Sequence, residues 1–144
     1  MNLTLFDLDG TLLPKDSDHA FGEFVVQLGW ADAQAFKQRN DAFYADYLAG
    51  CLDIHAYVDF ATSPWRDRSA KDLDRATALF LHEVVQPMLM PSALALVARH
   101  REQGDLMAVV TATNDFVTRP IATLLGIDTL IATNLARDAS GRVT

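Results

Sequence analysis

The stretch from Asn2 to Thr11, NLTLFDLDGT, decides how the rest of this chain is interpreted. Residues 3–6 form a mostly apolar run that stops at Asp7, Asp9 and Gly10, and this pattern predicts a short buried strand that ends in a loop. In open α/β sheets, ligands bind beyond the carboxyl ends of the strands, so both aspartates are expected beside a ligand. Gly10 allows the backbone to approach that ligand closely, and the free N–H groups of such a turn suit phosphate oxygens.

Two carboxylates at this spacing can divide the work of phosphoryl transfer. One attacks phosphorus and forms an aspartyl-phosphate, while the other protonates the leaving group and then activates water. The alternative is an ordinary surface turn, because Asp and Gly are common turn residues. The apolar strand that leads directly into the acidic pair favours the catalytic interpretation.

The segment Phe6 to Leu13, FDLDGTLL, resembles the first motif of the haloacid-dehalogenase superfamily of phosphohydrolases. The resemblance implies that Asp7 is the nucleophile and Asp9 the general acid/base. It also implies that Asp7 and Asp9 hold a Mg²⁺ ion, and that this ion bridges Asp7 and the phosphate. The second aspartate argues against the dehalogenases themselves, which are similar to the phosphatases but lack it.

Composition narrows the class of protein. The chain has 144 residues, half of them hydrophobic, which is enough for one domain with a small insertion. A net charge of −7 disfavours nucleic acid and anionic membranes as partners, and it requires that any phosphate site be compensated locally by a cation. Cys51 is the only cysteine, no signal peptide or bilayer-spanning run is recognisable, and we expect a cytoplasmic protein.

The pattern after the first motif predicts an α/β fold with a helical insertion. Helices are expected from Ser17, as N-cap, to about residue 28, then over 32–48, 53–61 and from 69 onwards, with Leu73, Ala76, Phe80 and Val84 inward. We therefore predict a helical-bundle cap over residues 16–86 and a discontinuous Rossmann-like parallel core, incomplete at its C-terminus, over 1–15 and 87–144. The insertion is similar to the cap of the phosphoserine-phosphatase-like branch, which implies that it excludes water and selects the substrate.

The chain returns to the core through a hinge bracketed by Pro87 and Pro91. A helix over 92–103, with Leu94, Val97 and Ala98 inward, precedes a buried parallel strand over 106–110. Thr113 is the expected cap of the next helix, which Pro120 should kink or split. A third strand is predicted over 129–133, followed by a hairpin bend at 139–141.

Thr111 provides the second chemical signal. A hydroxyl at the end of a strand can donate to a phosphate oxygen, although Thr is also a common strand-ending and capping residue. The segment VVTATND resembles the second motif of the superfamily, which implies that Thr111 binds phosphate together with the backbone N–H groups of Leu8 and Ala112. No lysine follows Lys71 and no G-D-x-x-x-D pattern is present, so we expect these residues to be the N-terminal part of a longer phosphatase.

The expected substrate is a small phosphate ester. Asp16 has the spacing from Asp7 at which the family resemblance places a reader of a substrate amino group, and His19 lies at the same entrance to the cap. Asp16 and Asp18 fit the start of a helix equally well. Arg39 is a weak candidate for a carboxylate reader, so phosphoserine and histidinol phosphate remain alternatives. A phosphotransferase, and a non-catalytic relative that binds phosphate or a partner, also remain open, and the oligomeric state is undetermined.

Overall fold

A three-stranded parallel sheet forms the centre of the computed structural model, which describes residues 1–144. The strands are β1 (Leu3–Phe6), β2 (Leu106–Asn114) and β3 (Thr129–Thr133), in the spatial order β1-β2-β3. Phe6 of β1 pairs with Val109 of β2, and Val109 pairs in turn with Leu130 of β3. This parallel sheet, with helices in its connections, confirms the predicted α/β fold.

The predicted helices between the first two strands are present. They are α1 (Ser17–Gln27), α2 (Ala33–Leu48), α3 (Ile54–Thr62) and α4 (Ala70–Phe80). The sequence predicted Ser17 as the N-cap of α1, and this prediction is wrong. Asp16 occupies that position, and its carboxylate accepts a hydrogen bond from the His19 amide at 2.8 Å. The predicted cap at Ser69 is correct, since its hydroxyl accepts from the Asp72 amide at 3.1 Å.

A π-helical turn follows α4. It spans Leu81–Val85 and leads into the short helix α5 (Gln86–Met88). The wider turn changes which side chain faces the core: Val85 is completely buried, whereas Val84, the predicted inward residue, is only partly buried. A π turn of this kind cannot be predicted from a hydrophobic pattern with a period of 3.6 residues.

The chain then returns to the sheet through helix α6 (Pro91–Glu102), which lies at 100° to the segment Ala70–Met88. Pro91 starts α6, where its missing N–H costs nothing. Leu94 was predicted to face inward but is 42% exposed, and Ala93 is buried in its place. The true apolar stripe of α6 is therefore displaced by one residue at its first turn.

Strand β2 continues four residues beyond its predicted end at Val110. Its pairing with β3 shifts in register after Val110 and resumes where Asn114 faces Thr133. Helix α7 (Asp115–Leu124) begins there, capped by Asn114 rather than by Thr113, since the Asn114 Oδ1 atom accepts from the Val117 amide at 3.1 Å. Helix α7 continues without interruption through Pro120, so the predicted split is wrong.

An aromatic cluster packs the inserted helices against the core. Phe21 of α1 contacts Trp65, Phe80 and Phe116 with ring centroids 5.1–6.2 Å apart. Trp65 stacks on Phe116 of α7 at 4.0 Å and is only 2% exposed. Large buried aromatic side chains contribute much of the packing energy of a protein core. The stack of Trp65 on Phe116 therefore holds the base of the inserted helices against α7.

One face of the sheet and both of its outer strand edges are uncovered. β1 and β3 each pair only with β2, so the outer edge of each of these two strands is unpaired. Leu3 is 66% and Leu5 58% exposed, so the prediction of a buried strand holds only for Phe6 on the opposite face. Leu106 and Ile131 are also exposed, and apolar side chains thus extend over all three strands.

The length and the composition of a helix decide whether it can span a bilayer. No single helix is long and apolar enough to cross a membrane. The strongly bent pair formed by Ala70–Met88 and Pro91–Glu102 meets those two criteria only when its parts are taken together.

Candidate active site

The loop after β1 presents two aspartates on either side of a buried leucine. Leu8 is completely buried, and its carbonyl accepts from the Thr11 and Leu13 amides at 3.2 and 2.9 Å. Asp7 is exposed, and one of its oxygens, Oδ2, accepts from the Thr11 hydroxyl at 2.9 Å. The tight turn needs a left-handed residue, which Gly10 provides with φ of 74°. Leu8 therefore anchors the loop while the flanking carboxylates remain outside the core.

Asp9 is held from two sides. Its Oδ1 atom accepts from the Ser17 amide at 2.7 Å, and its Oδ2 atom accepts from the Thr113 hydroxyl at 2.7 Å. The Asp9 carboxylate thus joins the first loop to the start of α1 and to the end of β2. The sequence placed Asp9 in the site but gave Thr113 only a capping role, and its contact with a residue 104 positions away had no local signal.

Thr111 and Ala112 lie at the same edge of the sheet as the acidic pair. Because Phe6 pairs with Val109, the residues that follow these two positions emerge side by side at the carboxyl edge. The Thr111 hydroxyl accepts from the Thr113 amide at 3.1 Å, and the Ala112 carbonyl accepts from the Thr133 hydroxyl at 2.7 Å. A phosphate-binding role for Thr111, Ala112 and Leu8 stays a prediction.

Asp16 and His19 lie at the first turn of α1. The Asp16 carboxylate caps this helix and remains exposed. The His19 side chain is 60% exposed, with Nε2 3.4 Å from the Glu23 carboxylate. Arg39 is exposed on α2, its guanidinium 5.0 Å from the Phe60 ring centre. Their proposed contacts with substrate stay predictions.

Asp18 forms a partly buried polar cluster that the sequence did not reveal. The Tyr57 hydroxyl donates to its Oδ2 atom at 2.6 Å, and the Asn114 amide donates to its Oδ1 atom at 3.1 Å. Burial raises the pKa of Asp18, and the nearby Asp16 and Asp9 carboxylates act in the same direction. Burial and the adjacent Asp18 carboxylate likewise raise the pKa of Tyr57.

The site carries uncompensated negative charge. No lysine, arginine or histidine forms an ion pair with Asp7, Asp9, Asp16 or Asp18; the ion pairs of the chain all lie elsewhere. Burial, together with the nearby Asp16 and Asp9 carboxylates, already disfavours the charged form of Asp18 and raises its pKa, and a bound cation would offset that effect. The geometry therefore suits a bound cation, supplied by a metal, by a cationic group of a ligand, or by both.

The donor set fits a hard divalent cation. Asp7 and Asp9 offer only oxygen, and no group of three or more His, Cys, Asp or Glu side chains converges anywhere in the chain. Mg²⁺ is commonly held by one or two carboxylates, with waters and phosphate oxygens as its other ligands. Asp7 keeps one oxygen free of hydrogen bonds, and both oxygens of Asp9 accept one bond each and retain a second lone pair.

A parallel α/β sheet whose first strand ends in a D-x-D-G loop, with a helical insertion directly after it, places this chain in the Rossmann-like class. The family model for haloacid dehalogenase-like hydrolases matches residues 4–144, and the chain belongs to this family.

Similar proteins agree with this assignment. The chain is 38% identical over 143 residues to a histidinol-phosphatase of Neisseria meningitidis serogroup C (strain 8013), an alignment that covers 99% of this chain and 64% of that protein. A crystal structure of a protein of unknown function from Bordetella pertussis Tohama I is 38% identical, with a TM-score of 0.88, and the match covers 100% of this chain and 65% of that one.

A more distant structure shares the fold. It is a phosphoserine phosphohydrolase-like protein from Francisella tularensis subsp. tularensis SCHU S4, 15% identical with a TM-score of 0.61, matched over 99% of this chain and 62% of that one. The chain thus spans somewhat less than two thirds of the length of each of these three proteins.

Proposed function

We propose that this chain forms the nucleophile-bearing part of a Mg²⁺-dependent phosphomonoester hydrolase, which acts on a small phosphorylated metabolite through an aspartyl-phosphate. The main observation behind this proposal is that the two aspartates have different surroundings. Asp7 is exposed and has one oxygen without a hydrogen bond, whereas both oxygens of Asp9 accept hydrogen bonds. Family membership and the Neisseria relative support the proposal.

The two environments suit two roles. Asp7 attacks phosphorus with its free oxygen, because a nucleophile must be reachable and must approach in line with the leaving group. Asp9 protonates the leaving oxygen and later accepts a proton from water, and its two hydrogen bonds hold it in one orientation for both transfers. Thr111 and the amides of Leu8 and Ala112 hold the phosphate oxygens.

A divalent cation supplies the remaining charge. Asp7 and Asp9 would hold Mg²⁺, which would offset the negative charge of the phosphate beside these carboxylates. Without it, the attack of one anion on another beside Asp9, Asp16 and Asp18 is strongly disfavoured. Residues 16–86 form the lid in this proposal, which excludes water and contacts the organic group.

The proposed substrates carry an amine. Asp16 and His19 lie at the first turn of α1, beside the Ser17 amide that donates to Asp9, and in this proposal the carboxylate of Asp16 pairs with an ammonium group. The Neisseria relative is named a histidinol-phosphatase, and histidinol phosphate and phosphoserine are the two candidates. The single exposed thiol of Cys51 is compatible with the reducing cytoplasm that we propose as its location.

A second candidate is a phosphate-binding protein without turnover. The resemblance to the superfamily implies a downstream lysine that acts against the phosphoryl group, and the presence or absence of that lysine in the full natural chain separates the two candidates. We propose instead that a following segment supplies that lysine and further acids. The exposed Leu3 and Leu5 beside the free edge of β1, and the greater length of the relatives, support this view.

Turnover of p-nitrophenyl phosphate by the full natural chain tests the proposal. We expect turnover that requires Mg²⁺, is removed by a chelator, and falls by about a thousandfold or more in Asp7→Asn. Asp128→Asn is the matched control, because Asp128 is exposed and its carboxylate makes no hydrogen bond or ion pair. Absence of turnover, or turnover that is unchanged in Asp7→Asn, contradicts the hydrolase and favours the binding protein.

A further inference from the structure

The hairpin formed by α2 and α3 is weakly attached to the rest of the molecule. No residue of α2 is buried, and the buried residues of α3, Phe60 and Thr62, lie at its C-terminal end. The hairpin packs mainly on itself, with Phe60 between the Phe36 and Phe43 rings at centroid distances of 4.8 and 5.2 Å. An element with so few buried side chains opens at a low free-energy cost.

A single polar contact ties this hairpin to the core. The bond from the Tyr57 hydroxyl to Asp18, at 2.6 Å, is the only side-chain hydrogen bond from α2 or α3 to α1 or the sheet. The apolar contacts are Phe36 over Gly22 of α1, where a Cβ atom on Gly22 would lie 3.2 Å from the ring, and Val58 of α3 against the hydrophobic core. Asp18 also accepts from Asn114, at the end of β2.

This contact lies directly beside the acid Asp9. Asp9 is held by Ser17 and Thr113, and Asp18 and Asn114 are their immediate neighbours along the chain. Two carboxylates thus connect the same two segments, the start of α1 and the end of β2. A single peptide unit on each side separates one connection from the other.

We propose that Tyr57, Asp18 and Asn114 form a latch that holds the α2–α3 hairpin over the carboxyl edge of the sheet, and that Asp18 is a positioning residue for Asp9. Only the predicted effect of the latch on the kinetics depends on the hydrolase activity proposed above. The latch itself is a property of the fold, and the hydrogen bond from Tyr57 to a carboxylate supplies the energy that keeps the hairpin in place.

Hydrogen exchange of the full natural chain tests the latch without any need for turnover. We expect amides of α2 and α3 to exchange about tenfold faster in Tyr57→Phe and Asp18→Ala, because the hydrogen bond between the Tyr57 hydroxyl and the Asp18 carboxyl group is lost in each. Amides of β2 and β3 should keep their wild-type rates. Tyr47→Phe, on the exposed face of α2, is the control and should leave all rates unchanged.

Coupling and kinetics complete the test. If the residues act as one latch, the double variant Tyr57→Phe/Asp18→Ala exchanges no faster than Asp18→Ala alone. If the wild type shows measurable turnover, Tyr57→Phe should raise KM and lower kcat, because both the lid and Asp9 are displaced in this variant. Unchanged α2–α3 exchange in Tyr57→Phe, or equal acceleration of every segment, overturns the latch. Failure of wild-type turnover contradicts only the hydrolase and leaves the exchange result decisive.

Discussion

The hydroxyl of Thr113 donates to the carboxylate of Asp9 at 2.7 Å, across 104 positions of sequence. This bond brings the end of β2 into contact with the loop after β1, and the Ser17 amide completes the enclosure of Asp9. The proposed proton shuttle is therefore oriented by two elements that come from opposite sides of the helical insertion.

Removal of that hydroxyl should impair the reaction more than the fold. In Thr113→Val, which keeps the shape of the side chain, Asp9 loses one of its two hydrogen bonds, and we expect kcat to fall about tenfold while the free energy of unfolding changes by about 1 kcal/mol. Steady-state kinetics and urea unfolding measure the two effects. Thr123→Val, an exposed position on α7, is the control. A wild-type kcat in Thr113→Val would show that the bond has no catalytic role.

The ion pair between Asp115 and Arg137 should make stability depend on pH. Burial alone would raise the pKa of Asp115, but the Arg137 guanidinium at 2.7 Å and the Leu135 amide outweigh it and lower the pKa from its ordinary value of 3.8. A lowered carboxyl pKa stabilises the fold above pH 3.8, and this contribution is lost as the pH falls through the folded-state value.

Asp115→Asn should therefore reduce the free energy of unfolding by about 1 kcal/mol at pH 7, with a smaller difference from wild type below pH 3.8. Urea unfolding across this range measures the difference. A constant gap between variant and wild type at all pH values would indicate that ionisation of Asp115 contributes nothing.

The stack of Trp65 on Phe116 should be a major source of stability. Trp65 is 2% exposed and packs on α7 at 4.0 Å, so Trp65→Ala leaves a large cavity and should cost about 3–5 kcal/mol. Trp30→Ala should cost much less, because Trp30 is only partly buried and stacks on Arg68. Guanidinium unfolding compares the two variants, and equal losses would refute the central place given to Trp65.

The exposed face of β1 offers a test of the longer protein proposed above. Leu5 is 58% exposed here, so Leu5→Glu should change the stability of the 144-residue chain by less than about 0.5 kcal/mol. In a longer natural chain whose following segment covers this face, the same change should cost about 2 kcal/mol or more, because a charge is then buried. Equal effects in both forms would count against such a covering segment.

Local patterns in the sequence were sufficient for the main elements. The apolar run before Asp7 predicted β1, and the apolar periodicity after Asp32 and Ser69 predicted the helices that α2 and α4 form. The pairing of strands followed from the crossover rule, because apolar strands joined by helices form parallel sheets. The acidic pair was recognised because Asp7 and Asp9 are separated by a single residue in the sequence.

The other features of the fold and of the candidate site depend on contacts between distant residues, which no local sequence pattern predicts. The π turn before α5 moved the buried position from Val84 to Val85. Continued pairing of β2 with β3 moved the helix cap from Thr113 to Asn114 and released the Thr113 hydroxyl for Asp9. Asn is the stronger capping residue of the two, which is the one signal that favoured the observed arrangement.

The most direct test of the central claim is to identify the residue that carries the phosphoryl group. The full natural chain is mixed with a phosphate ester and Mg²⁺, quenched in acid during turnover, and its peptides are analysed by mass spectrometry. We predict a phosphoryl group on the peptide that contains Asp7, and none in Asp7→Asn. Sustained turnover with that peptide unmodified, or a phosphoryl group that persists in Asp7→Asn, would contradict the account.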